Sequence, residues 1–332
     1  MNEMNFSQLM SLAGGHVEAR ILQTAVELKI FDALVDEPKS AEATSQALQL
    51  EAKATELLLN ALTAINLLEK QANLFSLADV SKQYLLRSSS RYVGGMIHFD
   101  ASLWSCWEKL EQALRTGKSV RPANMYQEVA EETNRFIAGM DSLVKARGDA
   151  NVLATTIDWS GVHTLLDVGS GPATYPIALC RRFAQLNATI FDLPATLKIT
   201  ERFVRDAGLS SRIKLIAGDY RDDKILGNYD VIFLSNIIHG ENEEKNAELV
   251  GKLAASLTST GRLIIKDHIL DGSRANPPVG ALFSLLMLLT TDGGRCYSLG
   301  EITAWMNNAG LHRVQQIDLA PPLTSSLVIG TK

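Results

Sequence analysis

The chain has 332 residues, 46% of them apolar and 21% charged, with 23 glycines and 9 prolines. That is roughly twice the length of an ordinary domain with an ordinary globular composition, which excludes collagen-like, low-complexity and wholly disordered readings. Its 32 basic and 37 acidic side chains leave a formal charge of −5, with no Lys/Arg cluster of the kind that neutralises phosphates, so nucleic acid is not an expected partner.

The longest run of apolar and small residues, Val279 to Leu289, is well short of the roughly 20 residues that span a bilayer, and no membrane partner is expected. The opening MNEMNFSQLM lacks the basic and apolar segments of a secretory signal. Cys106, Cys180 and Cys296 are isolated and form no CxxC pair, which argues for neither a disulfide framework nor a zinc site. A soluble, cytoplasmic protein without a metal is the expectation.

In chain order, residues 1–90 read as short helices with one small hairpin. Gln8 to Phe31 carries apolar residues at Ile21, Ala25, Leu28 and Ile30, and Ser40 caps a second helix with Glu42 close behind. Ala54 to Leu68 is apolar on more than one face, so a helix there must be buried against something. Leu74–Leu77 reads as one arm of a β-wing, and the segment as a winged-helix-like unit. Its 7 basic and 11 acidic residues would be repelled by a duplex, which favours a dimerisation module over DNA binding. From Arg91 to Asp149 the pattern stays helical. Trp104 and Trp107 at i, i+3, followed by Phe136, Met140 and Val144, read as core packing, with an acceptor-pocket wall as the second reading.

Beyond about residue 160 strands and helices alternate, as in a parallel α/β sheet. The spacing predicts strands at Thr164–Val168, Ala188–Asp192, Arg212–Ala217, Tyr229–Ser235 and Arg262–Asp267, with two more near Val314–Asp318 and Ser326–Gly330. Helices are predicted at Glu241–Leu257 and Leu299–Asn308, the latter followed by Gly310 as a cap.

The most informative stretch runs from Leu165 to Ala173, an apolar strand that ends in Asp167 and enters a glycine turn before a helix. Gly169 and Gly171 let the backbone take positive φ and approach a ligand closely. The third position of G-x-G-x-x-G falls on Thr174, so the dinucleotide fingerprint is not met. A carboxylate ahead of the turn suits a cationic amino-acid ligand and would repel a pyrophosphate. Asp192 closes the next strand, where such sheets accept hydrogen bonds from ribose. Asp219 closes the third, within reach of an adenine amino group that Tyr220 can cover. Together these aspartates describe a pocket for an adenosine-bearing cation.

LLDVGSGPA, IFDLP, AGDY, LSNIIHGENEE, GRLIIKDHIL, GGRCYS and the closing E-x-x-x-W-x-x-x-A-G-L resemble the S-adenosylmethionine-dependent O-methyltransferases of the caffeate, acetylserotonin and bacterial polyketide and phenazine type. The resemblance spans nearly the whole chain, since the helical N-terminal part is similar to that family's dimerisation domain. It implies S-adenosylmethionine as cofactor and a homodimer. Gly169 and Gly171 would approach the methionine portion, Asp192 the ribose, and Asp219 with Tyr220 the adenine. Leu193, Gly218 and Ser235, beside these positions, complete the expected cofactor site. The fold implied is α/β: a Rossmann-like, mostly parallel seven-stranded sheet behind an α-helical, winged-helix-like domain. The expected divisions are 1–90 for dimerisation, 91–155 for a helical linker and pocket segment, and 156–332 for the catalytic domain.

His239 follows the fourth strand, at the sheet edge where ligands bind in open α/β folds. A phenol has a pKa near ~10 and imidazole near ~6.5, so neutral imidazole can take the proton as the C–O bond forms, worth roughly 10²–10⁴-fold. The family's base is flanked by acidic residues, and Asp267 matches one of them. Two features depart from the family pattern: His239-Gly240-Glu241 replaces His-Asp-Trp, and Cys296 stands where a second acid is usual. Trp104, Phe136, Met140 and the Ala281–Leu289 helix, with Phe283 and Met287, are the expected acceptor wall. The function expected is methyl transfer to a phenolic or enolic hydroxyl. Transfer to nitrogen, sulfur or carbon, or S-adenosylmethionine binding with other chemistry, is the alternative that Cys296 keeps open.

Overall fold

A computed structural model describes residues 4–122 and 128–332. The chain forms two compact units, one ending at Leu103 and the other beginning at Trp104, so the helices of segment 91–155 are divided between them.

In the first unit, helices Phe6–Gly14, His16–Glu27, Ile30–Ala33, Ala41–Leu48 and Ala52–Ala64 surround a three-stranded antiparallel sheet of order β1-β3-β2 (β1 Lys39–Ser40, β2 Leu68–Gln71, β3 Leu74–Leu77). The predicted Gln8–Phe31 helix is broken twice. Gly15 separates the first pair, and Lys29 at φ 61° turns the chain into the third. The apolar segment from Ala54 is helical only as far as Ala64. Asn66 takes a left-handed conformation at φ 61°, which Asn tolerates better than most residues. Leu68 then opens β2 instead of extending the helix, and its buried side chain lies opposite Leu77 of β3. Ser40 caps Ala41–Leu48 as expected, accepting the Ala43 N–H.

The second unit is built on a seven-stranded sheet of order β6-β5-β4-β7-β8-β10-β9. The strands are β4 Thr164–Val168, β5 Asn187–Asp192, β6 Ile213–Ala217, β7 Tyr229–Ser235, β8 Leu257–Asp267, β9 His312–Asp318 and β10 Ser326–Thr331. The pairs β6–β5, β5–β4, β4–β7 and β7–β8 are parallel, and only β10 runs against its neighbours. Every predicted strand forms, with shifts at the ends, the largest at β8, which starts at Leu257. Strand alternation sends Leu165, Val231, Phe233, Ile264 and Leu327 into one apolar layer and Leu166, Ile232, Leu234, Ile265 and Val328 into the other. A sheet covered on both faces explains its nearly uninterrupted apolar strands. The strand order reverses between β4 and β7, and a crevice opens beyond the carboxyl ends of strands at such a reversal.

Trp104 and Trp107 do not pack as a core pair. They are 36% and 38% exposed, while Cys106 between them is buried. Four residues are too few for an i, i+3 pair to define a buried face, and the helix ends at Trp107.

One polar cluster is sealed under the sheet. Asp149, fully buried, receives two hydrogen bonds from Arg147 at 3.0 and 2.8 Å and one from the Tyr175 hydroxyl at 3.2 Å. Lys266 of β8, 1% exposed, lies 3.2 Å from the same carboxylate without the geometry of a hydrogen bond. Removing one partner of a buried ion pair strands the other. Asp149→Ala is therefore expected to cost about 3–5 kcal/mol of unfolding free energy in urea titrations. Lys266→Met, which leaves Asp149 its other donors, should cost roughly half of that or less.

Candidate active site

The crevice at the strand reversal is a cavity of about 220 Å³. Its wall includes Asp167, Gly169, Gly171, Asp192, Leu193, Gly218, Tyr220 and Ser235 from the strand ends, with Phe136, Ile137 and Met140 from the helix Ala130–Arg147. Gly169 and Gly171 sit at φ 68° and 58°, and a Cβ on Gly169 would strike the Ile237 side chain. The turn is pinned from behind by the Thr200 hydroxyl, which donates to the Gly171 carbonyl at 2.6 Å.

The two buried aspartates of this wall are held differently. Asp192 accepts the Gly171 and Leu193 N–H groups at 2.8 and 2.7 Å, and burial lifts its pKa to about 6 against those bonds. Asp167 accepts the Ser170 hydroxyl at 2.7 Å through one oxygen. Its other oxygen is buried with no hydrogen-bond partner among the described residues, and burial pushes its pKa up to about 8. The Ser235 hydroxyl, near that of Tyr175, is also buried without a well-formed hydrogen bond to any described residue. An orphaned carboxylate oxygen in a cavity with glycine-lined walls fits a cationic ligand that brings its own donors.

Asp219 lies elsewhere. Its carboxylate is gripped by Arg221, with Nε at 2.9 Å and a terminal nitrogen at 2.6 Å, and these bonds hold it below the usual carboxylate range. It lines a neighbouring cavity of about 630 Å³ with Arg221, Glu241 and Lys252, and among the described residues only Tyr220 faces both spaces. The Tyr220 hydroxyl donates to Glu241 at 3.0 Å.

His239 stands in the 3-10 turn Ile238–Gly240 just past β7, two residues after Ile237 of the cavity wall. This turn separates the strand from the following helix, which is capped by Asn242 and starts at Glu243, two residues later than predicted. The His239 Nδ1 lies 2.8 and 3.0 Å from the two oxygens of Asp267. A carboxylate can only accept, so Nδ1 carries the hydrogen, and in the neutral ring the lone pair is on Nε2. Burial alone would raise Asp267, but the charge and hydrogen bond of His239, the charge of His268 and the His268 N–H hold it below the ordinary carboxylate value. Cys296 is buried nearby, its thiol pushed up to about 12 by burial and by the Asp267 charge, so it is neutral and not a nucleophile.

Of the expected acceptor wall, Phe283 meets the His239 ring edge-on at 4.8 Å between centroids. Met287, one turn further along the helix Pro278–Thr290, is buried, and Trp104 begins a short helix that lies against it. Phe136 and Met140 line the same wall as the aspartates. Three residues that carry the site had no pattern to announce them. Thr200 pins the glycine turn. Asn246 donates to the carbonyls of Ile238 and Glu241 at 2.8 and 3.2 Å, and the Tyr297 hydroxyl donates to the Glu241 carbonyl at 2.6 Å, so both fix the turn that carries His239. The one available signal for Asn246 is an amide on the apolar stripe of a helix.

The O-methyltransferase domain profile matches residues 107–312, and the O-methyltransferase dimerisation domain profile matches residues 10–87. The chain belongs to the O-methyltransferase family. It is an S-adenosylmethionine-dependent enzyme. A 3-hydroxy-5-methyl-1-naphthoate 3-O-methyltransferase from Streptomyces sahachiroi is 30% identical over 98% of this chain and 94% of its own. The tetracenomycin polyketide synthesis 8-O-methyltransferase of Streptomyces glaucescens is 28% identical, over 98% and 96%. Human N-acetylserotonin methyltransferase in complex with S-adenosylmethionine is 20% identical and superposes with a TM-score of 0.90 over 100% of this chain and 99% of its own, which shows the shared fold. Among the described residues of this O-methyltransferase, no helix is long and apolar enough to cross a membrane.

The raised pKa of Asp167 has a measurable consequence. At pH 7 the carboxyl is mostly protonated, and a cation seated against it favours the ionised form. Cofactor binding is then expected to release nearly a full proton at pH 7, and affinity to rise with pH up to about 8 and level off above it. Calorimetry in buffers of different ionisation heat reads the released proton, and Asp167→Asn should abolish it.

Proposed function

We propose that this enzyme methylates a phenolic hydroxyl of a small, partly apolar acceptor, with His239 as general base and Asp267 as its anchor. Bound S-adenosylmethionine supplies a methyl group on a positively charged sulfur, whose departure needs no acid. The rest falls to the chain. Asp167, with Gly169 and Gly171, holds the cationic amino-acid end of the cofactor, and Asp192 its ribose. Tyr220 covers the adenine. Asp219, gripped by Arg221, supports that end from the neighbouring cavity, with Leu193, Gly218 and Ser235 completing the wall. Phe283, Met287 and Trp104 give the acceptor an apolar wall, and a homodimer forms through the domain at 10–87.

The observation that carries this reading is the bond from His239 Nδ1 to the buried carboxylate. It fixes the tautomer that leaves Nε2 open to the acceptor hydroxyl, and it stabilises the imidazolium formed when Nε2 takes the proton. The proton then passes to solvent as product leaves. The two Streptomyces relatives, whose names specify a hydroxynaphthoate and a polyketide product, support an aromatic hydroxyl as the acceptor.

His239→Ala is expected to lower turnover by roughly 10²–10⁴-fold with cofactor affinity unchanged. Asp267→Asn should cost a comparable factor, because the amide offers no charge to the imidazolium and its NH2 can donate to Nδ1 and hold the ring in the tautomer whose Nε2 carries the hydrogen. Release of S-adenosylhomocysteine at saturating cofactor, set beside calorimetric cofactor binding, checks both. A fully active His239→Ala variant would end the base assignment.

A further inference from the structure

A second histidine hangs from the same carboxylate. Asp267 accepts the His268 backbone N–H at 2.7 Å through the oxygen that also faces His239. The His268 side chain is fixed at its other end, where Nδ1 lies 2.8 Å from the Thr324 carbonyl. A carbonyl only accepts, so here too Nδ1 carries the hydrogen and the lone pair is on Nε2. Nε2 has no hydrogen bond to any described residue, and it is not one of the atoms sealed from solvent.

The two imidazoles share one aromatic neighbour. Phe283 meets His239 edge-on with centroids 4.8 Å apart and His268 with centroids 5.1 Å apart. Gly280, one turn before Phe283, lets the helix close on Leu270, two residues after His268. A Cβ there would come within 2.8 Å of Leu270 and 3.5 Å of the His268 Cβ.

We infer that His268 is a specificity-determining residue whose Nε2 accepts a hydrogen bond from a second hydroxyl of the acceptor, so that the preferred substrates are dihydroxylated aromatics. Burial lowers its pKa against the pull of Asp267 and Thr324, which keeps the ring neutral and its lone pair available at neutral pH. His239 removes the proton of the hydroxyl that is methylated, and His268 receives but does not remove the proton of the other. The proposal rests on methylation of a phenol at His239.

The test compares kcat/KM for 1-naphthol with that for 1,2-, 1,3- and 1,8-dihydroxynaphthalene, in the wild type and in two variants. The wild type is expected to favour at least one dihydroxy isomer about tenfold, the worth of one net hydrogen bond. His268→Asn keeps an N–H for the Thr324 carbonyl but has no acceptor at the Nε2 position, and should bring the ratio near one, whichever way the absolute rates move. His268→Gln, whose longer amide carries an oxygen toward that position, should restore part of it. An unchanged ratio in His268→Asn, or a wild type that favours no dihydroxy isomer, overturns the assignment. If the wild type turns over none of the naphthols, the phenol reading falls and takes this one with it. If it turns over 1-naphthol without preference, only the role of His268 fails.

Discussion

The chemistry proposed for this protein depends on one buried carboxylate kept ionised. Asp267 ends β8 in an environment that by itself favours a neutral acid, and the charge it nevertheless carries is bought by the donors around it: His239 Nδ1 on both oxygens and the His268 N–H on one. Without those donors the carboxyl would take up a proton and no longer fix the His239 tautomer. Without the carboxylate the imidazole could rotate, and either nitrogen could hold the hydrogen. The pair is therefore mutually dependent, and neither residue has a separable share of the effect.

The wall proposed for the cofactor shows the opposite strategy. Asp167 leaves one oxygen without a partner among the described residues and is pushed toward neutrality, which has a cost in the free protein that a cation seated there would relieve. Asp192, two backbone N–H groups richer, is shifted less. The two carboxylates stand at the ends of adjacent parallel strands, β4 and β5, and the charge of Asp192 helps to raise Asp167. A positively charged ligand removes that repulsion, so its sign is favoured by the pair in a way neither residue achieves alone.

Much of this was legible in the sequence because it rests on local pattern. The strand-turn-helix run from Leu165 to Ala173 fixes both glycines and Asp167 by adjacency. Asp192 is found 21 residues after Gly171 because the next parallel strand must return to the same edge. What remained illegible was tertiary. Nothing in Gly218-Asp219-Tyr220 says that Arg221 folds back onto Asp219 and draws its carboxylate into the adjoining cavity. The Ala54–Leu68 run reads as one helix because apolar periodicity continues through it, whereas pairing with β3 takes its last residue into a strand. Thr200, Asn246 and Tyr297 hold the site through hydrogen bonds to backbone carbonyls, a role that leaves no spacing to read.

Cys296 is a buried, neutral thiol beside Asp267. A neutral thiol gives His239 no second anion, so its orientation rests on Asp267 and on the rigidity of the turn that carries it. That turn is tied on both sides. Asn246 holds the carbonyls of Ile238 and Glu241 from the following helix, and Tyr297, next to Cys296, holds the Glu241 carbonyl from the loop before Leu299. Gly294 lets this loop pass against the His239 carbonyl, where any side chain would collide with it. The loop that lacks the expected acid thus supports the base through its backbone and a tyrosine. That support fixes position without adding charge, and in the proposed mechanism the imidazolium formed during transfer is balanced by Asp267. An acceptor that gives up its proton readily suits such a site, and an aromatic hydroxyl acidified by conjugation meets that condition.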